Sequence, residues 1–349
     1  MTAKHSADLT GVSETALMTL QVRASEARRP DGIIDDPMAV HLVDSIDVDF
    51  GKFGYTKRQD MALRAKVFDK YTRRYLVDHP RATVVALAEG LQTSFYRLDA
   101  AGVGDQFRWL TVDLPPMVEL RRKLLPASDR IQMCAQSALD FSWMDRVNPD
   151  DGVFITAEGL LMYLPPEDAM ALITACAARF PGGQMMFDLP PSAFHALARR
   201  GMRTSLRYRV PPMPFTLSVA EAAELVDTVP GVRAVHDLPS EAPRGRLLGA
   251  LVLARLDLQL LLVATQLPRP EADEDRQPEG GPERVLWFPK LFGAPGSLGS
   301  QVGNPPPIRL SCSSKPPRHT GVRHVFLTPL PHRPFSLGRR VRAWRCRLW

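Results

Sequence analysis

Gly90, Asp113 and Glu158 each stand where an apolar run gives out, and together they are the residues of this chain whose types and spacing suit chemistry. Val84 to Leu98 reads VVALAEGLQTSFYRL, a strand-like run, a tight turn at Ala88-Glu89-Gly90 and then a helical pattern. An α/β sheet presents backbone to a nucleotide-like molecule in this way at the end of its first strand. Asp113 closes the next run, FRWLTVD, 23 residues beyond Gly90. A carboxylate at that distance is placed to accept both ribose hydroxyls of a nucleoside. Glu158 follows GVFITA and precedes a helix announced by Pro165-Pro166-Glu167-Asp168. Singly, a strand-end turn or carboxylate is common in any α/β domain. Three in register define one crevice, because ligands of open α/β sheets bind outside the carboxyl ends of the strands.

Those tips need a sheet behind them. Strand candidates are Thr83 to Ala88, Arg108 to Asp113, Arg130 to Ala135, Val153 to Ala157 and Gln184 to Asp188, each followed by a helical stretch. Alternation of this kind predicts an α/β fold, a doubly wound and mostly parallel sheet. Val232 to Leu238 and Leu247 to Leu256 could close it as a hairpin. Before it, apolar residues return every three or four positions from Ser13 to about Leu76, which predicts a helical preface. The chain divides accordingly into a helical cap over 1–78, a core over 79–266 and a tail over 267–349.

The tail distorts the overall charge. Residues 284–349 carry 12 Lys and Arg and no acid, whereas 1–283 carry 32 basic against all 38 acidic residues. The body is therefore mildly acidic and unsuited to gripping a polyanion. Fourteen of the 32 prolines fall between Pro268 and Pro334, a density that ordinary helices and central strands do not tolerate. Three readings of the tail remain open: out-of-frame translation of a GC-rich gene, ordinary disorder, or a basic arm carrying Trp344 and Trp349.

Four cysteines, Cys134, Cys176, Cys312 and Cys346, form neither a disulfide framework nor a metal knuckle, and no metal is implied. The N-terminus lacks the apolar core of a secretion signal, and Leu247 to Ala264 is interrupted by Arg255 and Asp257, so the expectation is a cytoplasmic protein with no membrane partner.

Five blocks in this order, TALMTLQVRASEARRPDGIIDDPMAVHL, LRAKVFDKY, VVALAEGLQTSFYRLD, TVDLPPMVELRRKLLP and AEGLLMYLPPEDAMALI, resemble the leucine carboxyl methyltransferase family, in particular its bacterial branch grouped with O-methyltransferases of polyketide biosynthesis. The resemblance covers roughly residues 10–240. It implies a class I, Rossmann-like fold with a seven-stranded sheet whose last strand is reversed, a helical N-terminal addition, and S-adenosyl-L-methionine as cofactor. By position it implies that Arg64 binds the cofactor carboxylate with help from Arg23, that Ala88 and Gly90 lie beneath the methionine moiety, that Asp113 takes the ribose, and that Glu158 lies near the amino end. A guanidinium suits a carboxylate because its donors match both oxygens.

The chain also departs from that pattern. Where the family commonly reads Leu-Gly-Ala-Gly-Leu-Asp-Thr, this chain reads Leu87-Ala88-Glu89-Gly90-Leu91-Gln92-Thr93. Ala88 is tolerable there with a negative φ, and Glu89 is expected to turn toward the N-terminus of the following helix, where the backbone dipole favours an anion. The Asp-Leu pair implied in adenine recognition aligns with Ala138-Leu139; Ser137 or Asp140 could supply the missing hydrogen bond.

A sulfonium methyl already carries a strong leaving group, so such an enzyme chiefly aligns the acceptor oxygen and excludes water. A carboxylate acceptor needs no base, whereas a hydroxyl benefits from one, for which His195, Tyr163 and His236 are available. Phe187 to Phe215 is apolar and proline-rich enough for an acceptor pocket. The readings are a methyltransferase acting on an oxygen of a small, partly apolar metabolite, a protein carboxyl methyltransferase, or an inactive cofactor-binding relic.

Overall fold

The computed structural model describes residues 4–7, 9–54, 58–190, 192–239 and 259–265. The strand expected over Leu247 to Leu256 and the tail from 267 lie outside the described residues. Three helices open the chain: α1 (Thr15–Ala27), α2 (Pro37–Ser45) and α3 (Asp60–Asp78). Pro37 starts α2 where no N–H is needed, and Asp36 caps it by accepting from the Ala39 N–H at 2.9 Å.

The sheet comprises β1 (Thr83–Leu87), β2 (Arg108–Asp113), β3 (Ile131–Ala135), β4 (Val153–Ala157), β5 (Gln184–Leu189), β6 (Val232–Leu238) and β7 (Gln259–Thr265). Its order is β3-β2-β1-β4-β5-β7-β6, with β7 antiparallel to both neighbours and the other pairings parallel. The hairpin partner of β6 is thus 259–265, and it inserts beside β5 rather than extending the edge. The connecting helices are α4 (Ser94–Ala100), α5 (Pro115–Leu124), α6 (Pro166–Arg179), α7 (Ser192–Arg199), α8 (Val219–Ala223) and α9 (Leu225–Thr228).

Strand periodicity divides the core between two faces. Val84, Ala86, Trp109 and Phe154 pack under α3 and α4 with Val67, Phe68, Phe95 and Leu98. Val85, Leu87, Leu110 and Ile155 face the opposite way, into the core holding Leu17, Leu42, Leu120 and Leu172. Pairing of Leu87 with Val112 and of Asp113 with Ala135 brings the strand ends level, so the loops after β1, β2 and β4 converge at one edge of the sheet. No described helix is long and apolar enough to cross a membrane.

Candidate active site

A cavity of about 390 Å³ lies over the ends of β1 and β4, between the sheet, α1, the start of α3 and residues 190–213. Arg64, on the second turn of α3, is its electrostatic centre. Its Nε donates to Glu158 Oε1 at 2.9 Å and its Nη1 to Asp188 Oδ2 at 3.0 Å. Burial opposes the charge of Arg64, but Asp188 and Glu158 together outweigh burial and hold its pKa above the ordinary value. Among the described residues Nη2 has no hydrogen-bond partner, and Arg64 forms part of the cavity wall. A guanidinium fixed on two nitrogens with a third free is prepared for one more anion.

The loop after β4 is shaped around this group. Gly159 has φ +68° and donates its N–H to Asp188 Oδ1 at 2.6 Å. A side chain there would be strained by that φ, and its Cβ would stand 3.2 Å from Arg64 Nη1. Asp188 is fully buried, and burial drives its pKa up against the pull of Arg64. Gln92 completes the cluster, its Nε2 donating to both Glu158 oxygens at 2.7 Å.

Ala88, Glu89 and Gly90 form the floor. Ala88 is the only described non-glycine residue with a left-handed φ, +47°, which corrects the negative φ expected of it. The chain must reverse direction at the strand end before Gly90, itself at φ +58°, and the methyl of Ala88 is carried into a region that favours glycine. Asp113 is near, but its carboxylate faces the loop: Oδ2 accepts from the Gly90 N–H and Oδ1 from the Leu114 N–H, both at 2.7 Å. Burial raises the pKa of Asp113 despite those two N–H donors.

Two expectations change. Arg23 does not reach the cavity. It is buried, with Nη1 on Asp36 at 2.6 Å and Thr93 at 2.9 Å and Nη2 on the Leu91 carbonyl at 2.7 Å, because α1 presses that residue against the β1–α4 connection. Glu89 does not turn toward the start of α4. Its side chain points beneath the loop, pairing with Arg121 of α5 at 2.9 Å and accepting from the Thr111 hydroxyl. A left-handed residue immediately before it rotates the side chain off the helix axis, and Arg121 offers a full charge where the helix end offers a partial one.

Ala138 and Leu139 lie outside the described cavity wall, beyond β3; the Ala138 carbonyl accepts from Trp143 Nε1 at 3.0 Å. Ser137 and Asp140 are exposed and serve the local turn, accepting from the Leu139 and Ser142 N–H groups at 3.1 and 3.2 Å. Of the candidate bases, only Tyr163 borders the cavity. His236 is exposed on the edge strand, and His195 on α7 lies off the described wall. Burial pushes the Tyr163 hydroxyl up to about 12, with Arg64 pulling the other way. Much of the remaining lining is apolar, with Met18, Met61, Met162, Met202, Met213 and Phe194.

Residues 16–177 match the family described as leucine carboxyl methyltransferase. Over 228 residues the chain is 34% identical to the tetracenomycin polyketide synthesis O-methyltransferase TcmP of Streptomyces glaucescens, a match covering 64% of this chain and 82% of that protein. The chain belongs to the leucine carboxyl methyltransferase family. It is an S-adenosylmethionine-dependent methyltransferase. A second relative, the S-adenosyl-L-methionine-dependent methyltransferase dpfgK of Gibberella zeae, is 28% identical over 275 residues, 71% of this chain and 91% of that one.

For this methyltransferase the sequence reading missed Gln92, Arg121 and Asp188. Asp188 ends a strand-like run, as Asp113 does, so position alone could have nominated it. Nothing local marks Arg121, one of two adjacent arginines on α5; only the packed helix shows which of them points inward, with Arg121 buried and Arg122 exposed.

Proposed function

We propose that this protein moves a methyl group from S-adenosylmethionine to a carboxylate oxygen of a small, partly apolar metabolite. Bound there, S-adenosylmethionine supplies an electrophilic methyl on a sulfonium whose leaving group is a neutral thioether. The free Nη2 of Arg64 fits its carboxylate, and Glu158 fits its ammonium. The backbone of Ala88 and Gly90 offers a close floor for the methionyl chain. The remaining lone pairs of Asp113 suit the ribose diol.

The lack of a free base in the cavity wall carries the choice of a carboxylate. Among its described residues the ionisable side chains are Arg58, Asp60, Arg64, Glu89, Glu158 and Tyr163. Arg58 pairs with Asp60, Arg64 with Glu158, and Glu89 with Arg121. Tyr163, held protonated by burial, donates rather than accepts a proton at neutral pH. An acceptor already ionised in water needs none of them as a base. The methionine-rich wall suits an unsaturated or aromatic body, since thioethers pack adaptably against ring edges, and the O-methylation in the name of TcmP agrees with an oxygen acceptor.

The test is transfer of labelled methyl to 2-naphthoic acid compared with 2-naphthol. The expected product is a methyl ester, released as methanol by mild alkali. Transfer to the naphthol alone, as an alkali-stable ether, overturns the carboxylate assignment.

A further inference from the structure

Beneath the 88–92 turn a second charged cluster is fully enclosed. Arg121 is 1% exposed and Glu89 2% at their side chains, and they pair at 2.9 Å. The same guanidinium uses Nη1 to donate to the carbonyls of Gly90 and Gln92, both at 2.8 Å. Glu89 is anchored in turn by the Thr111 hydroxyl of β2. The turn between Ala88 and Gln92 is thus held from below by one arginine, while the Gly90 N–H is held from the side by Asp113 at 2.7 Å.

We propose that Glu89 is a positioning residue: by fixing Arg121 it sets the carbonyl directions at Gly90 and Gln92, and so the shape of the floor and the reach of the Gln92 side chain to Glu158, without touching ligand itself. Three observations combine here. The turn contains one strained position, Ala88 at a left-handed φ, two residues before Gly90, which is also at positive φ, and such a path persists only when its surroundings over-determine it. Arg121 alone would be a buried charge with no counter-ion, a state that costs far more than a paired one. And Gln92, whose carbonyl Arg121 holds, is the residue that ties Glu158 to the loop. The Glu89 side chain is 2% exposed and spent on Arg121 and Thr111.

The inference rests on the reading that the 88–92 turn carries S-adenosylmethionine, so calorimetric titration of the parent full-length chain with S-adenosylhomocysteine comes first. Absence of binding there overturns both readings together. With binding established, Glu89→Gln is expected to weaken affinity about tenfold to hundredfold, by analogy with the loss when a contact that orients a metal-binding side chain is removed. In the ligand-free protein, amides 89–92 should exchange hydrogen faster while those of β4 do not change. Because Glu89→Gln leaves Arg121 unpaired and can lower the melting temperature, the double variant Glu89→Gln with Arg121→Met separates the roles. It removes both charges and should melt close to the parent, yet bind at least about tenfold more weakly, as the carbonyl contacts are gone. A double variant that is folded and retains parental affinity and parental exchange at 89–92 overturns the proposal and leaves the pair a matter of stability alone.

Discussion

Around Arg64 the cavity is backed by fixed polar groups, with Arg64, Glu158, Gln92 and the buried Asp188 joined by hydrogen bonds of 2.7 to 3.0 Å, whereas the rest of its lining includes Met18, Met61, Met162, Met202 and Met213, none of them charged. The charged end lies on strand ends and on a 19-residue helix. The apolar end draws in part on the segment 190–213, which holds one short helix and an isolated bridge between Arg203 and Arg209. Ions buried on rigid elements hold one geometry and charge heavily for any error, while unbranched thioether chains repack. A methyltransferase whose donor is constant and whose acceptor is particular to it is well served by that division.

The comparison breaks most sharply at Arg64. Arg64→Met leaves Asp188, wholly buried, without its counter-charge, and should cost about 3–5 kcal/mol of stability as well as abolish S-adenosylhomocysteine binding. Thermal melting and calorimetry read both. A variant that melts like the parent would show the charged end to be no more demanding than the apolar one.

Asp113→Ala should weaken S-adenosylhomocysteine by about 1.5–3 kcal/mol, the worth of hydrogen bonds to a charged group. The same residue gives the site a pH dependence. Its pKa is raised by burial, and a ribose diol held there would donate to the ionised form, so affinity should fall as pH drops through that raised value, earlier than for an exposed aspartate. Glu89 and Asp188 are also raised, so Asp113→Asn should flatten this acid limb only in part. A profile of affinity against pH for Asp113→Asn that superimposes on the parent's would remove Asp113 from the ribose.

Ala88→Gly should stabilise the fold by about 0.5–1 kcal/mol, because a left-handed alanine costs about 1–2 kcal/mol and glycine returns part of that gain as entropy. Its melting temperature tests this directly; a fall would mean that the Ala88 methyl makes contacts worth more than the strain.

The smallest effect belongs to the apolar end. Met213→Leu, at a buried position, should change stability by less than about 1.5 kcal/mol and leave S-adenosylhomocysteine affinity unaltered. Only the rate with 2-naphthoic acid should move, and a loss of cofactor affinity would show that the two ends are not separable.

Much of this was legible from residue order. The five parallel strands, the helices before them and the tips at Gly90, Asp113 and Glu158 follow from period-two and period-3.6 patterns, which depend only on near neighbours. Arg64 was named through its block, and it does stand beside Glu158. The directions of the Arg23 and Glu89 side chains were not legible for one reason: each has an opposite charge on another element that wins over its local setting, Asp36 for the first and Arg121 for the second.

What the sequence determined by itself was therefore the scaffold: which runs are strands, where they end, and which side chains stand at the ends, since backbone periodicity and strand-end turns are local properties. Tertiary structure alone decided which charges pair. Arg64 meets Asp188 across 124 residues and Glu158 across 94, and Arg97 on α4 meets Asp36 across 61. In a buried setting Coulomb energy depends on separations of a few ångströms, and only the folded chain sets those.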